Sequence, residues 1–139
     1  MMDDEPRCRL VRPGEGPGGG YDGKQGLRYA EGVSAESVGA KSLCLHLLTI
    51  PPGGRARAHL HEAHETAILV LEGEAEMWHG DRLQHRMRVQ AGDMIHIPAG
   101  VPHLPMNRSG APVRAVVART DPHEQESVVL RPDLDALVP

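Results

Sequence analysis

From Tyr29 onward the chain is cut into short apolar segments by turn formers, and no window between them has the length of a convincing helix. Pro51-Pro52-Gly53-Gly54, Gly73, Gly80-Asp81, Gly92-Asp93, Pro98-Ala99-Gly100 and Thr120-Asp121-Pro122 mark the breaks. Segments of this size bury an apolar face by pairing side by side, which predicts an all-β antiparallel sandwich or barrel. Strands are expected over 42–50, 67–71, 74–79, 87–89, 94–97, 113–118 and 127–130. Ala67 to Leu71 is apolar throughout, the pattern of a strand buried on both faces. Glu74 to His79 alternates, with Ala75, Met77 and His79 on one side and the two acids with Trp78 on the other. Trp78 is therefore placed on an outer face, where it hints at an interface.

Residues 1–28 carry Pro13-Gly14, Gly16-Pro17-Gly18-Gly19-Gly20 and Asp22-Gly23, a density of turn formers that predicts a flexible Gly/Pro-rich arm without regular structure. Tyr21 and Tyr29 either pin this arm to the body or to a partner subunit, or leave it a solvated tail. A single domain over 29–139 follows, and its last stretch, from Arg131 to Pro139, reads as a short fraying end.

Composition narrows the function. A chain of 139 residues buries roughly 68–70% of its unfolded surface as one domain. With no Phe, one Trp and two Tyr, its core is built from Leu, Ile, Val, Met and Ala, and aromatic platforms for bases or sugars are not expected. The net charge is -4 and the basic residues are scattered, so no nucleic-acid partner is read. Cys8 and Cys44 do not argue for a disulfide. The start is acidic and no apolar stretch reaches the ~20 residues of a membrane span, which leads to the expectation of a cytoplasmic location without membrane contact.

The chemistry is concentrated in His59-Leu60-His61-Glu62-Ala63-His64-Glu65. In an extended segment residues 59 and 61 project to the same side and can share one ion. Neutral imidazole is the commonest protein ligand for zinc, copper, iron and nickel, and a nearby carboxylate can ligate or act as a base.

A second cluster of fixed residues, Gly92, Pro98, Gly100, His103 and Asn107, matches G-x5-P-x-G-x2-H-x3-N at every fixed position. Gly53, His59, His61, Glu65 and Gly73 follow G-x5-H-x-H-x3-4-E-x6-G, except that one residue too many separates Glu65 from Gly73. On these two motifs, spanning residues 53 to 107, the chain resembles the cupin superfamily. The resemblance implies a double-stranded β-helix or jelly-roll barrel, a small single-domain fold that is usually a homodimer, with one divalent ion inside. It also implies His59, His61 and His103 as ligands, and Asn107 as a residue whose amide ties down a loop.

The fourth ligand depends on register. Counted from Gly73, residues 64, 66, 68 and 70 face inward and His64 ligates; counted from His61, Glu65 keeps the family's role. The count from Gly73 is preferred, with Glu65 the alternative ligand, and a bulge between 62 and 66 is expected to absorb the extra residue. If Glu65 is not a ligand it is the nearest candidate catalytic base.

Among the other histidines, His79, His85 and His123 read as solvated. His46 shares a face with Cys44 and Leu48, and His96 with Met94; both are first wall histidines, and with Ile68 and Val70 they are the candidates for a substrate pocket. Arg119 and Asp121 are expected to pair beside the Pro122 turn.

Imidazoles without a firm carboxylate favour zinc, with iron(II), manganese, nickel or copper behind it. The expected function is a metal-dependent enzyme acting on a small organic metabolite by cyclisation, isomerisation or rearrangement. The alternatives are a dioxygenase and a non-catalytic ligand-binding or sensing module.

Overall fold

The computed structural model describes residues 5–15, 20–123 and 127–139, and its strands form two antiparallel sheets. The strands are β1 (Gly20–Asp22), β2 (Arg28–Val33), β3 (Cys44–Ile50), β4 (His59–His61), β5 (Thr66–Glu72), β6 (Glu74–His79), β7 (His85–Gln90), β8 (Met94–Ile97), β9 (His103–Met106), β10 (Val113–Arg119) and β11 (Val128–Leu130). One sheet has the order β1-β2-β3-β10-β5-β8 and the other β11-β4-β9-β6-β7. This is the double-stranded β-helix that the sequence predicts. Two four-residue helices, α1 (Ala35–Val38) and α2 (Pro132–Asp135), complete it, and no helix among the described residues is long and apolar enough to cross a membrane.

Turn glycines set the strand ends. Gly73, between β5 and β6, has φ 87, and a Cβ there would come within 2.5 Å of the Pro112 carbonyl oxygen. Glycine alone meets both conditions. The core lies between the sheets, where Leu48, Ile50, Val70, Met77, Ile97 and Val117 pack with Tyr29.

Residues 20–28 are not a loose arm. Tyr21 stacks on Tyr29 with centroids 5.2 Å apart, and the β1–β2 ladder pairs the same two residues. Gln25, buried, donates to the Tyr29 hydroxyl at 2.6 Å and accepts from the Arg57 backbone N–H. Glycine-rich sequence predicted irregularity here, but the tyrosine stack and the Gln25 bonds add enough contact to hold a short edge strand. Residues 1–4 and 16–19 of the expected arm lie outside the described residues.

The end of the chain does not fray. Leu134 and Val138 are buried on the outer face of the five-stranded sheet against Ala58, Leu83, Leu104 and Met106. The Arg55 guanidinium donates to the carbonyls of Asp135 and Val138, and the Asp135 carboxylate accepts from the Ala58 N–H at 2.7 Å. Trp78 is on the outer face as expected, but the cluster that includes Leu134 and Val138 packs against it.

The apolar run in β5 is buried on one face only. Thr66 and Val70 are buried, whereas Ala67 and Leu71 are exposed. Around them the outer face of the six-stranded sheet also exposes Leu45 and Met94.

Candidate metal centre

β4 alternates His59, Leu60, His61, and both histidines turn into the barrel, each 3% exposed. β9 begins at His103, whose Cα partner across the ladder is His59. Two backbone bonds fix the loop before it: Gly100 N–H donates to the His61 carbonyl at 2.7 Å and Gly80 N–H to the Pro102 carbonyl at 3.0 Å. The loop leading to the third histidine is thus tied to the second.

The ring centroids of His59 and His103 are 4.2 Å apart, and those of His61 lie 5.2 and 5.3 Å from the two. One ligand atom from each of the three falls within 4.8 Å of the others. His59 Nδ1 lies 2.7 Å from the Arg57 carbonyl and His103 Nδ1 3.0 Å from the Val101 carbonyl. A carbonyl only accepts, so each Nδ1 carries the hydrogen and each Nε2 keeps its lone pair. Burial holds the His59 imidazole down at about 3, opposed by the bond to Arg57 and reinforced by His61 and Arg119. His103 is held well below its ordinary value by burial, with His59, His61 and Arg119 acting in the same direction. At neutral pH both rings are therefore uncharged donors, the form a divalent metal requires.

The three histidines line a cavity together with Thr66, Glu76 and Arg119 and with aliphatic walls that include Ile68 and Val70. Its volume is about 50 Å³. Drug-sized pockets run to roughly 300–1,000 Å³, so the space suits a ligand of few heavy atoms.

Arg119 is the residue that sequence reasoning placed wrongly. It is 4% exposed, directed into the barrel and 5.1 Å from the centre of the Tyr29 ring, while Asp121 accepts from the His123 backbone N–H. Strand alternation gave the signal, since Val113, Ala115 and Val117 face inward and Arg119 continues their row. Thr66 faces inward and is 3% exposed, as the count from Gly73 has it. Its hydroxyl is buried and makes no hydrogen bond to the described residues.

His64 and Glu65 point in opposite directions. His64 is buried, with its ring centroid 4.6 Å from that of His61 and its Nδ1 3.4 Å from Ser127 Oγ. Glu65 projects from the outer face, where its carboxylate meets His96 Nε2 at 2.8 Å with both side chains 61% exposed. The expected bulge is not what absorbs the extra residue. The chain leaves one sheet at His61, bends at residues 62–63 and joins the other sheet at Thr66. No ladder constrains that crossing, so alternation counted from His61 does not carry across it; within β5 the ladder to β10 shifts register between Arg114 and Ala115, whose partners are Glu72 and Val70, so Leu71 is the residue left over there.

Two expected pocket residues lie elsewhere. His96 is on the outer face with Glu65, because β8 turns Ile95 and Ile97 inward. His46 is buried beside the cavity rather than on its wall; its Nδ1 accepts from the Gly32 N–H at 3.1 Å and Tyr21 packs edge-on against it. Asn107 behaves as expected. Its amide donates to the carbonyls of Ile50 and Ala111 and its oxygen accepts from Ser109.

Residues 46–119 match the cupin domain family, and no curated protein matches the chain. Among solved structures, a sugar phosphate isomerase of the cupin superfamily from Silicibacter pomeroyi is 24% identical with a TM-score of 0.58, over 68% of this chain and 59% of that one. An uncharacterized conserved protein with a double-stranded beta-helix domain from Klebsiella pneumoniae is 20% identical with a TM-score of 0.64, over 91% and 97%. The DMSP lyase DddQ from Ruegeria pomeroyi is 27% identical with a TM-score of 0.56, over 66% and 44%. The match thus spans 59% of the isomerase and less than half of the lyase.

Proposed function

Since the chain belongs to the cupin family, we propose that it is a mononuclear metal-dependent enzyme that isomerises, cyclises or rearranges a small organic metabolite. His59, His61 and His103 hold the ion; His64 lies outside the group whose ligand atoms fall within 4.8 Å of one another, and its ring, 4.6 Å from that of His61, is proposed as the fourth ligand. One observation carries this reading: three buried imidazoles from two strands bring their ligand atoms within 4.8 Å of one another. Zinc ranks first because the donor set is all nitrogen, the carboxylate of Glu65 being turned to the outer face. Such an ion, when bound, polarises a substrate oxygen or lowers the pKa of water. The aliphatic walls exclude bulk water and receive an apolar body.

Elemental analysis of protein purified without a metal-affinity tag tests the reading. About one equivalent of zinc per chain is expected. Iron or copper would move the protein to dioxygenase chemistry, and the absence of bound metal would leave a ligand-binding module.

Two copies of the chain are proposed to pack through the outer face of the six-stranded sheet. Leu45, Leu71 and Met94 are 42%, 44% and 79% exposed there, beside Ala67 on the neighbouring strand position. An apolar sheet face of this kind marks an interaction surface. A cytoplasmic location fits Cys8 and Cys44, neither of which is in a disulfide.

A further inference from the structure

We infer that His79 and His85 form a second transition-metal site at the rim of the barrel, one that takes copper(II) or nickel(II) from solvent. His79 is the Cα partner of His85 on one side and of His103 on the other, and His103 in turn pairs with His59. Four histidines from β4, β9, β6 and β7 thus form one row across the five-stranded sheet. His59 and His103 are 3% exposed, His79 is half-buried, and His85 is exposed on the edge strand.

Alternation puts the outer pair of the row on the same side as the inner pair. His79 continues Ala75 and Met77, and His85 continues Val89 and Met87, all of which belong to the core between the sheets. The rings of His79 and His85 have centroids 5.3 Å apart with 33° between their planes. His61 and His103 stand at the same 5.3 Å with 38° between their planes, and their ligand atoms lie within 4.8 Å of each other. The spacing that serves one ion inside the barrel is repeated at its rim.

The turn between the two rings holds that spacing. Gly80 N–H donates to the Pro102 carbonyl and Leu83 N–H to the Gly80 carbonyl, each at 3.0 Å, and Leu83 is buried with Leu104 and Leu134. A Cβ at Gly80 would meet His85 Cδ2 at 3.1 Å, so glycine there leaves the His85 ring its place. Ligands fixed in this way lose little freedom when an ion arrives.

Two other exposed histidines are engaged with carboxylates, His96 with Glu65 at 2.8 Å and His123 with Glu36 at 3.5 Å. His79 and His85 instead face each other. Two imidazoles, with water oxygens completing the shell, suit the tetragonal N,O set that copper(II) and nickel(II) prefer.

The test loads the full-length protein with one equivalent of zinc, titrates it with copper(II) at neutral pH, and then counts both metals. Wild type is expected to take up about one copper per chain while keeping its zinc, with two imidazole nitrogens coupled to copper in the electron paramagnetic resonance spectrum. His79→Ala and His85→Ala should each leave one nitrogen and weaken copper binding at least about tenfold, since loss of an outer partner of a ligand already costs that much. His123→Ala should change nothing. Copper that binds His85→Ala as tightly as wild type, or that enters only by displacing zinc, would overturn the inference. If His79→Ala does not fold, His85→Ala, an exposed side chain on an edge strand, decides alone. Protein that takes up no zinc but binds copper through His85 would refute the metal centre proposed above and support the rim site. Protein that keeps zinc and shows no His85-dependent copper would refute the rim site alone.

Discussion

His59 and His103 are direct cross-strand partners whose rings stand 4.2 Å apart, although they come from different motifs of the chain. Their spacing is set by that β4–β9 pairing together with the backbone bonds that tie the loop before His103 to His61 and Gly80, and elements of regular structure hold a site more precisely than loops do.

His103→Ala is therefore expected to lower bound metal at least as severely as His61→Ala. Loss of an outer partner of a ligand already costs roughly 10–100-fold in affinity, and loss of a ligand should exceed that. Retention of a full equivalent in either variant, measured by elemental analysis, would remove the residue from the ligand set.

His64→Ala and Glu65→Ala should separate cleanly. The buried ring of His64 lies 4.6 Å from that of His61, so its removal should reduce metal content. Glu65 meets only the outer face through His96, and its removal should leave metal content unchanged and shift stability by about 1 kcal/mol or less. Undiminished occupancy in both variants would mean that three histidines suffice.

Metal-free protein should lose stability as pH falls from 7 to 5. The ordinary imidazole value is 6.5, while burial lowers His59 to about 3 and His103 well below 6.5. Below 6.5 the unfolded chain takes up protons that the folded chain resists, so stability falls with pH and the loss continues toward the folded values. His59 alone amounts to about 2 kcal/mol between pH 7 and 5, and His103 acts in the same direction. Urea denaturation at half-unit intervals checks the slope, and a flat profile would show that these rings are protonated in the fold.

Asn107→Ala should destabilise by about 2–4 kcal/mol in denaturant titrations. The side chain is 1% exposed and bonds the end of β3 to the loop of residues 109–111. Its loss removes the buried side-chain donor to the Ile50 carbonyl and the acceptor of the Ser109 N–H, and a change under about 0.5 kcal/mol would refute that role.

Met94→Glu should convert the proposed dimer to a monomer in sedimentation experiments. Met94 is 79% exposed on the apolar face, and a buried, unpaired carboxylate at a packed interface costs several kcal/mol. An unchanged mass at micromolar concentration would place the interface elsewhere.

The turn glycines and prolines made the strands legible, and the histidine spacings made the two halves of the site legible, because each depends on chain-local geometry. Arg119 was not legible for a different reason. Alternation from Val113 points it inward, but arginine is so rarely buried that composition argued against the register. Thr66 was marked as inward by the count from Gly73, but its cross-strand neighbour Arg119 is supplied only by the β10 ladder. The fate of residues 20–28 and 132–139 depended on tertiary contacts, Tyr21 on Tyr29 and Leu134 with Val138 on the sheet, that short polar segments do not advertise. Neither count along the chain fixes the orientation of His64 against Glu65, since the crossing between sheets erases the parity set at His61 and the register shift at Leu71 interrupts the count from Gly73.

Asp135 closes its bond on the N–H of Ala58, the residue before the first histidine of the site. The carboxy-terminal segment is thereby a brace for β4, and the two are separated by 77 positions in the chain. Proteolytic trimming after Arg131 should accordingly be visible first as drift in the imidazole resonance of His59.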